Sequence, residues 1–169
     1  MRNPQVAEVV LALGVKTQLP AGVFRYRVHL GKEVREYFGK CQSHYAVVTN
    51  VRIDENQLSC RGATIASSES MSHAVIYEYC DWVKGVIHIH NLALWQNLLY
   101  RVPTTAKGVP YGSPEMAYSI IDLLKTTDLQ QQRIFVMEGH EEGVFTFGSS
   151  LEEAASVILH WLKEVGLGA

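Results

Sequence analysis

Apolar positions along the chain recur sometimes every two residues and sometimes every three to four, and the switches between the two periods mark out its elements. Asn3 before Pro4 predicts a capped helix start, with Val6, Val9, Val10 and Leu13 as the apolar stripe up to Gly14. Phe24, Tyr26, Val28 and Leu30 alternate with Arg25, Arg27 and His29, which predicts a half-buried strand whose charged face meets water. The β-branched run His44–Ile53 predicts another strand, and Asp54-Glu55-Asn56 the turn into a short one over Leu58–Arg61. A helix is expected after Ser67-Ser68, with Met71, Val75, Ile76 and Tyr79 on one side. Val83–His90 predicts a strand and Leu92–Tyr100 a helix. Ser113-Pro114-Glu115 opens a helix that buries Met116, Ile120, Ile121 and Leu124. Arg133–Glu138 and Gly143–Phe147 predict a strand pair around a turn at Gly139–Glu142. Ser150 with Glu153 three residues on is a capping box for a last helix, striped by Leu151, Ala154, Ala155, Ile158, Leu159 and Leu162 up to Gly166. Strands alternating with helices predict an α/β fold: a three-layer α/β/α sandwich, one central sheet with helices on both faces.

Composition narrows the class. At 169 residues, with no repeat, low-complexity tract or linker, the chain is expected to form a single domain over 1–169. With 47% hydrophobic and 19% charged residues it is globular and not disordered. A net charge of −2 offers no positive field for nucleic acid, so no nucleic-acid partner is expected. The first 61 residues nevertheless carry nine basic and five acidic groups, and the remainder six and twelve. That split suits an anion-tolerant first third, or two faces that meet in an oligomer. Cys41, Cys60 and Cys80 are too few and too scattered for a disulfide framework or a thiolate metal site, as expected in a reducing cytoplasm. The longest uncharged stretch, Gly85–Tyr100, holds two histidines, two asparagines and a glutamine, so no membrane span is expected. Glu8 interrupts the first apolar run, unlike a signal peptide.

The candidate chemistry sits at strand ends. Residues two apart on a strand share a face, so His88 and His90 present two imidazoles together while Ile89 faces the core. They read either as hydrogen-bonded polar residues at a strand exit or as a chelating pair. A third imidazole, His140, follows the strand ending at Met137, with Gly139 beside it to permit the turn that aims it. Three neutral imidazoles with one position open is the pattern of a catalytic zinc site. Ser67-Ser68-Glu69 at a helix start is either ordinary capping or a source of a base, with the free N–H groups favouring the charged carboxylate. Glu138 shares parity with His140 and is an alternative ligand; Trp82, Trp95 and Trp161 are expected in the core or at a subunit contact.

Taken in order, Ser67-Ser68-Glu69 with His73, His88-x-His90, Pro110-Tyr111-Gly112-Ser113 and Gly139-His140 resemble the class II aldolase/adducin family, over roughly Ser67 to Leu162. The resemblance implies a short, divergent member with the fold of the fuculose-phosphate aldolases. It implies that His88, His90 and His140 bind a divalent metal ion, most simply Zn2+. Glu69 would complete the resting metal site and then serve as general base, forming an enediolate from a small hydroxy-carbonyl or sugar-type substrate. Ser67 and Ser68 stand where the family contacts a substrate phosphate, and His73 matches a recurrent family histidine that supports the site without ligating. The resemblance further implies a homotetramer. It equally admits an epimerase or dehydratase on the same site, or a non-catalytic, adducin-like binding and assembly domain. Four departures bear on the substrate. Met1–Arg61 lacks the family's Gly-Asn-x-Ser phosphate loop. Arg101–Tyr111 is short where aldolases carry a tyrosine proton donor, and the chain stops at Ala169 without a tail over a neighbour's site. Glu141-Glu142 is inserted after His140. Metal binding survives these changes; phosphosugar specificity does not.

Overall fold

The computed structural model describes residues 11–15, 24–26, 46–62 and 65–167. Among the described residues seven strands and five helices follow one another as β1 (Leu11–Val15), β2 (Phe24–Tyr26), β3 (Ala46–Arg52), β4 (Gln57–Gly62), α1 (Ser70–Tyr79), β5 (Gly85–His90), α2 (Leu92–Leu98), α3 (Pro114–Thr126), α4 (Leu129–Gln132), β6 (Ile134–Val136), β7 (Gly143–Gly148) and α5 (Leu151–Glu164). The strands form one sheet in the order β4-β3-β2-β1-β5-β7-β6, antiparallel at every pairing.

Strands β5, β6 and β7 divide their side chains between two apolar clusters, as a period of two requires. Val86, Phe135, Met137, Phe145 and Phe147 join one cluster, with Met71, Val75 and Ile76 of α1 and Met116 and Ile120 of α3. Their sequence neighbours Ile87, Ile89, Ile134, Val136 and Val144 join the other, with Leu94 and Leu98 of α2 and Ala154 and Ile158 of α5. Helices and strands are thus mixed, and α1–α3 and α2–α5 serve different clusters.

Several starts and stops follow the local chemistry. Ser113 Oγ accepts from Met116 N and Asn91 Oδ1 from Leu94 N, capping α3 and α2. Asn56, at φ 49°, turns β3 into β4. Arg133 ends α4 in the left-handed region at φ 59° and then pairs with Glu153. Among the described residues no helix is long and apolar enough to cross a membrane.

Three expectations need correction. The end of the expected N-terminal helix, up to Gly14, is instead part of strand β1 (Leu11–Val15), paired to β5 along five residues and to β2 on its other edge. A short apolar run fits either period, and the sheet on both sides of it supplies hydrogen bonds a helix end could not. Tyr79 is 41% exposed and Leu159 66% exposed, so neither belongs to the buried stripe of its helix. In α1, residues from Ser70 to Tyr77 are buried on every side, which a single stripe does not predict. The Asn3-Pro4 cap, Val28, Leu30, Arg27, His29 and Cys41 lie outside the described residues, and for Arg25 only the backbone is described. Trp82 packs on Phe147, Trp95 Nε1 donates to Met137 O at 2.8 Å, and Trp161 packs against the α2–α5 cluster.

Candidate metal centre

Strand β5 carries His88 and His90 on the face shared with Val86, towards the cluster formed with α1 and α3. His88 is 3% exposed, and its ring lies flat on Phe145 of the neighbouring strand, with centroids 4.3 Å apart and planes at 10°. Phe145 stands directly opposite His88 in the β5–β7 register and stacks in turn on Phe135. His90, at the end of β5, lies opposite Gly143.

The turn between β6 and β7 delivers His140. His140 N donates to Met137 O, Gly143 N to His140 O and Met137 N to Gly143 O, which closes a tight loop. A Cβ at Gly143 would stand 2.5 Å from His140 Cδ2, so the missing side chain is what lets His140 fold back towards His90. Gly139 has a different role from the one expected. Its φ is not in the left-handed region, where Glu142 sits instead at 72°. A side chain at Gly139 would run into Val109 O, at 1.8 Å from the Cβ position.

One ligand atom from each of His88, His90 and His140 can be chosen so that all lie within 4.8 Å of one another. His90 Nε2 and His140 Nε2 are 3.1 Å apart. Two nitrogens bound to one tetrahedral zinc at roughly 2.0–2.1 Å each would be separated by about 3.3 Å, so the spacing suits a shared cation. His88 Nε2 is buried with no hydrogen-bond partner among the described residues. An orphaned buried imidazole nitrogen costs on the order of 1–3 kcal/mol, which a ligand on that nitrogen would offset. Electrostatics favours the same reading. Burial, and then the neighbouring His73, His90 and His140, hold the pKa of His88 well below 6.5. Burial and His90 lower His140 to about 4. Neutral imidazoles are the form that binds metal.

Glu69 precedes α1 and is 2% exposed. Its side chain makes no cap hydrogen bond. Ser72 Oγ donates to Glu69 Oε2 at 3.0 Å, and among the described residues Oε1 has no hydrogen-bond partner. The charged form was expected to be favoured here. In the metal-free protein burial instead raises the carboxyl pKa, outweighing the help of the Ser72 hydroxyl and the Gly112 backbone N–H. Two contacts tie this carboxylate to the imidazoles. Gly112 faces it while the adjacent Tyr111 ring meets His140 at 4.3 Å between centroids. His73, one helical turn after Glu69, packs edge-on against the Phe145 ring that also carries His88. His73 is wholly buried, with its pKa lowered to about 3 by burial. It stands beside the three imidazoles and outside their set.

The serines and Glu138 take other places. Ser67 Oγ accepts from Glu69 N at 3.3 Å, and Ser68 Cβ lies 3.3 Å from the Cβ position of Gly112; both residues are exposed. Glu138, considered as an alternative ligand, is outside the cluster. Its Oε2 accepts from Gly108 N at 2.6 Å and its Oε1 from the Tyr100 hydroxyl at 3.3 Å, so it fastens the 100–108 segment. Sequence reasoning missed Ser72, Phe145 and Gly143. Ser72 was within reach, three residues after Glu69 on one helix face. Phe145 becomes visible only through the β5–β7 register.

Residues 36–163 match the family model described as Class II Aldolase and Adducin N-terminal domain. No curated protein sequence matches the chain. Among solved structures, the putative aldolase/epimerase/decarboxylase YgbL from Klebsiella pneumoniae is 19% identical with a TM-score of 0.59, covering 93% of this chain and 76% of its own. An L-fuculose 1-phosphate aldolase is 16% identical at a TM-score of 0.63, with 92% and 72% covered. A sugar-phosphate aldolase from Thermotoga maritima is 14% identical at 0.64, with 93% and 83% covered. At such identities the likeness is one of fold.

Proposed function

Because the chain belongs to the class II aldolase and adducin family, we propose that it is a zinc-dependent, aldolase-type enzyme acting on a small hydroxy-carbonyl or sugar-type substrate, with Glu69 as its general base. The observation that carries this reading is the convergence of His88, His90 and His140 around an unsatisfied, buried His88 Nε2. These three would hold the cation. A bound divalent ion would polarise the substrate carbonyl and stabilise the developing negative charge, worth several kcal/mol.

The remaining chemistry falls to the chain's own groups. Ser72 fixes Glu69 Oε2 and leaves Oε1 to take the proton from the carbon beside the carbonyl, turning the substrate into its enediolate. A carboxyl whose pKa is raised by burial binds that proton more firmly than an exposed one and can return it in the reverse step. Phe145 and Phe135 keep the base of the site apolar, and Tyr111 forms part of its exposed wall. Epimerisation or dehydration would use the same base. The two clusters on opposite sides of the strands support a three-layer α/β/α sandwich as the frame. We further propose a cytoplasmic homotetramer, a reading supported by the family and by the few, scattered cysteines. Sedimentation of the metal-loaded chain tests the assembly.

Metal analysis is the decisive experiment for the site. The wild type is expected to hold one zinc per chain and His90→Ala none. The wild type is also expected to exchange solvent deuterium into one of a panel of small ketoses and hydroxy-ketones. Unchanged metal in His90→Ala would overturn the ligand assignment. Absent metal together with absent exchange is the result a non-catalytic binding domain would give.

A further inference from the structure

Segments 67–73, 88–91, 107–113 and 137–143 meet at the imidazole cluster. Gly112 packs on Ser68, Tyr111 on His140, Gly139 on Val109, and Asn91 N bonds to Glu142 O. These four segments carry Glu69, Glu138, Glu141 and Glu142, and Lys107 is their one Lys or Arg. Glu69 is assigned to the base, and Glu138 is held by Gly108 and Tyr100. Glu141 and Glu142 are different. They follow His140 directly, Glu141 is exposed, and among the described residues neither takes part in an ion pair. Glu142 is pinned beside both ligand-bearing strand ends, because its carbonyl accepts from Asn91 N, next to His90, at 3.0 Å. Two of the described arginines lie elsewhere. Arg101 and Arg133 line a separate cleft of about 550 Å³ together with His160 and Trp161.

Resting on the metal-and-base reading above, we propose that this site selects an unphosphorylated, uncharged hydroxy-carbonyl substrate and discriminates against phosphate esters. A phosphate ester carries close to two negative charges and would have to approach two carboxylates that have no ion-pair partner among the described residues. For charges about 8 Å apart in water, Coulomb's law opposes such a dianion by roughly fivefold per carboxylate. Salt screening reduces the combined effect of two to about tenfold. A neutral ketose or hydroxy-ketone meets no such opposition, and its hydroxyls can donate to the same carboxylates.

The test compares two chelators on the zinc-loaded full chain by titration calorimetry: the hydroxamate of glycolic acid and its O-phosphorylated counterpart. The unphosphorylated compound is expected to bind about tenfold tighter at low salt, with the gap narrowing as salt rises. The double variant Glu141→Gln/Glu142→Gln should bring the two affinities within about twofold while leaving zinc stoichiometry unchanged. Equal or tighter binding of the phosphorylated compound by the wild type would overturn the proposal and leave the metal site standing. So would a gap that the double variant does not alter. A chain that takes up no zinc overturns the metal reading itself, and this inference with it.

Discussion

Helices α1 and α5 both begin at a serine pair with a glutamate close by, Glu69 just before α1 and Glu153 in the first turn of α5, yet the two glutamates end in opposite electrostatic states. At α5, Ser150 Oγ accepts from Glu153 N, and Glu153 Oε2 accepts from the backbone N–H and hydroxyl of Ser149 at 2.6 and 2.7 Å. Arg133 pairs with its other oxygen. The Ser149 hydrogen bonds and Arg133 lower the Glu153 pKa. At α1, Glu69 makes no cap, lies buried and has its pKa raised. The same residue types therefore give a solvated cap at one helix start and a high-energy buried carboxylate at the other. The difference comes from what packs on top. Helix α1 is buried along most of its length, whereas the first turn of α5 keeps Glu152 exposed. A carboxylate placed where a helix start could simply be capped, and deprived of water instead, is in the environment that suits the general base proposed at Glu69.

The comparison breaks most sharply on Glu69→Gln. Solvent-deuterium exchange is expected to fall by at least about 10²-fold, the lower range for removal of a general base, with zinc still bound through the three histidines. Glu153→Gln should leave exchange within about twofold. Equal exchange in wild type and Glu69→Gln would remove Glu69 from the mechanism.

Stability against pH separates the two carboxyls by sign. Glu69 has a folded pKa above its ordinary value of 4.5, so its contribution is present below that value and is lost as pH rises through the raised pKa. Glu153 has a folded pKa below 4.5, so its contribution is present above that value and is lost as pH falls through the lowered pKa. In urea titrations of chelator-treated protein, Glu69→Gln should gain on the wild type as pH rises. Glu153→Gln should fall behind the wild type at neutral pH and catch up in acid. Subtracting the wild type cancels the acid-side losses of His73 and His140, whose pKa values lie at about 3 and about 4.

Smaller effects sharpen the contrast through the hydroxyls. Ser150→Ala removes the acceptor for Glu153 N and should cost about 1 kcal/mol in urea denaturation. Ser67→Ala removes a 3.3 Å contact on an exposed residue that caps nothing, and should stay within about 0.5 kcal/mol. Equal costs at the two serines would mean that the helix starts are not as different as the structure makes them.

Much of this was legible in the order of residues, and the reasons are local. Capping by Ser113 and Ser150 depends on groups three residues away, and the alternation of Val86, Ile87, His88 and Ile89 depends on the strand's own pleat. Where local signals were ambiguous they misled: Leu11–Val15 suited either period, and Leu159 sits on the apolar stripe of α5 yet faces water. Glu138 matched His140 in parity but was drawn away by Gly108 and Tyr100, thirty or more residues distant in the chain.

The sequence by itself determined which donors exist and that His88 and His90 share a face, because a strand's period of two is a property of its backbone. It also carried the family motifs around Glu69 and His140. Tertiary structure alone decided that His140 lies 3.1 Å from His90, because that distance depends on the β6–β7 turn and on Gly143 standing opposite His90 in the register. It alone decided that Glu69 is buried and its pKa raised, because desolvation is set by every element packed around a group and not by the residues beside it in the chain.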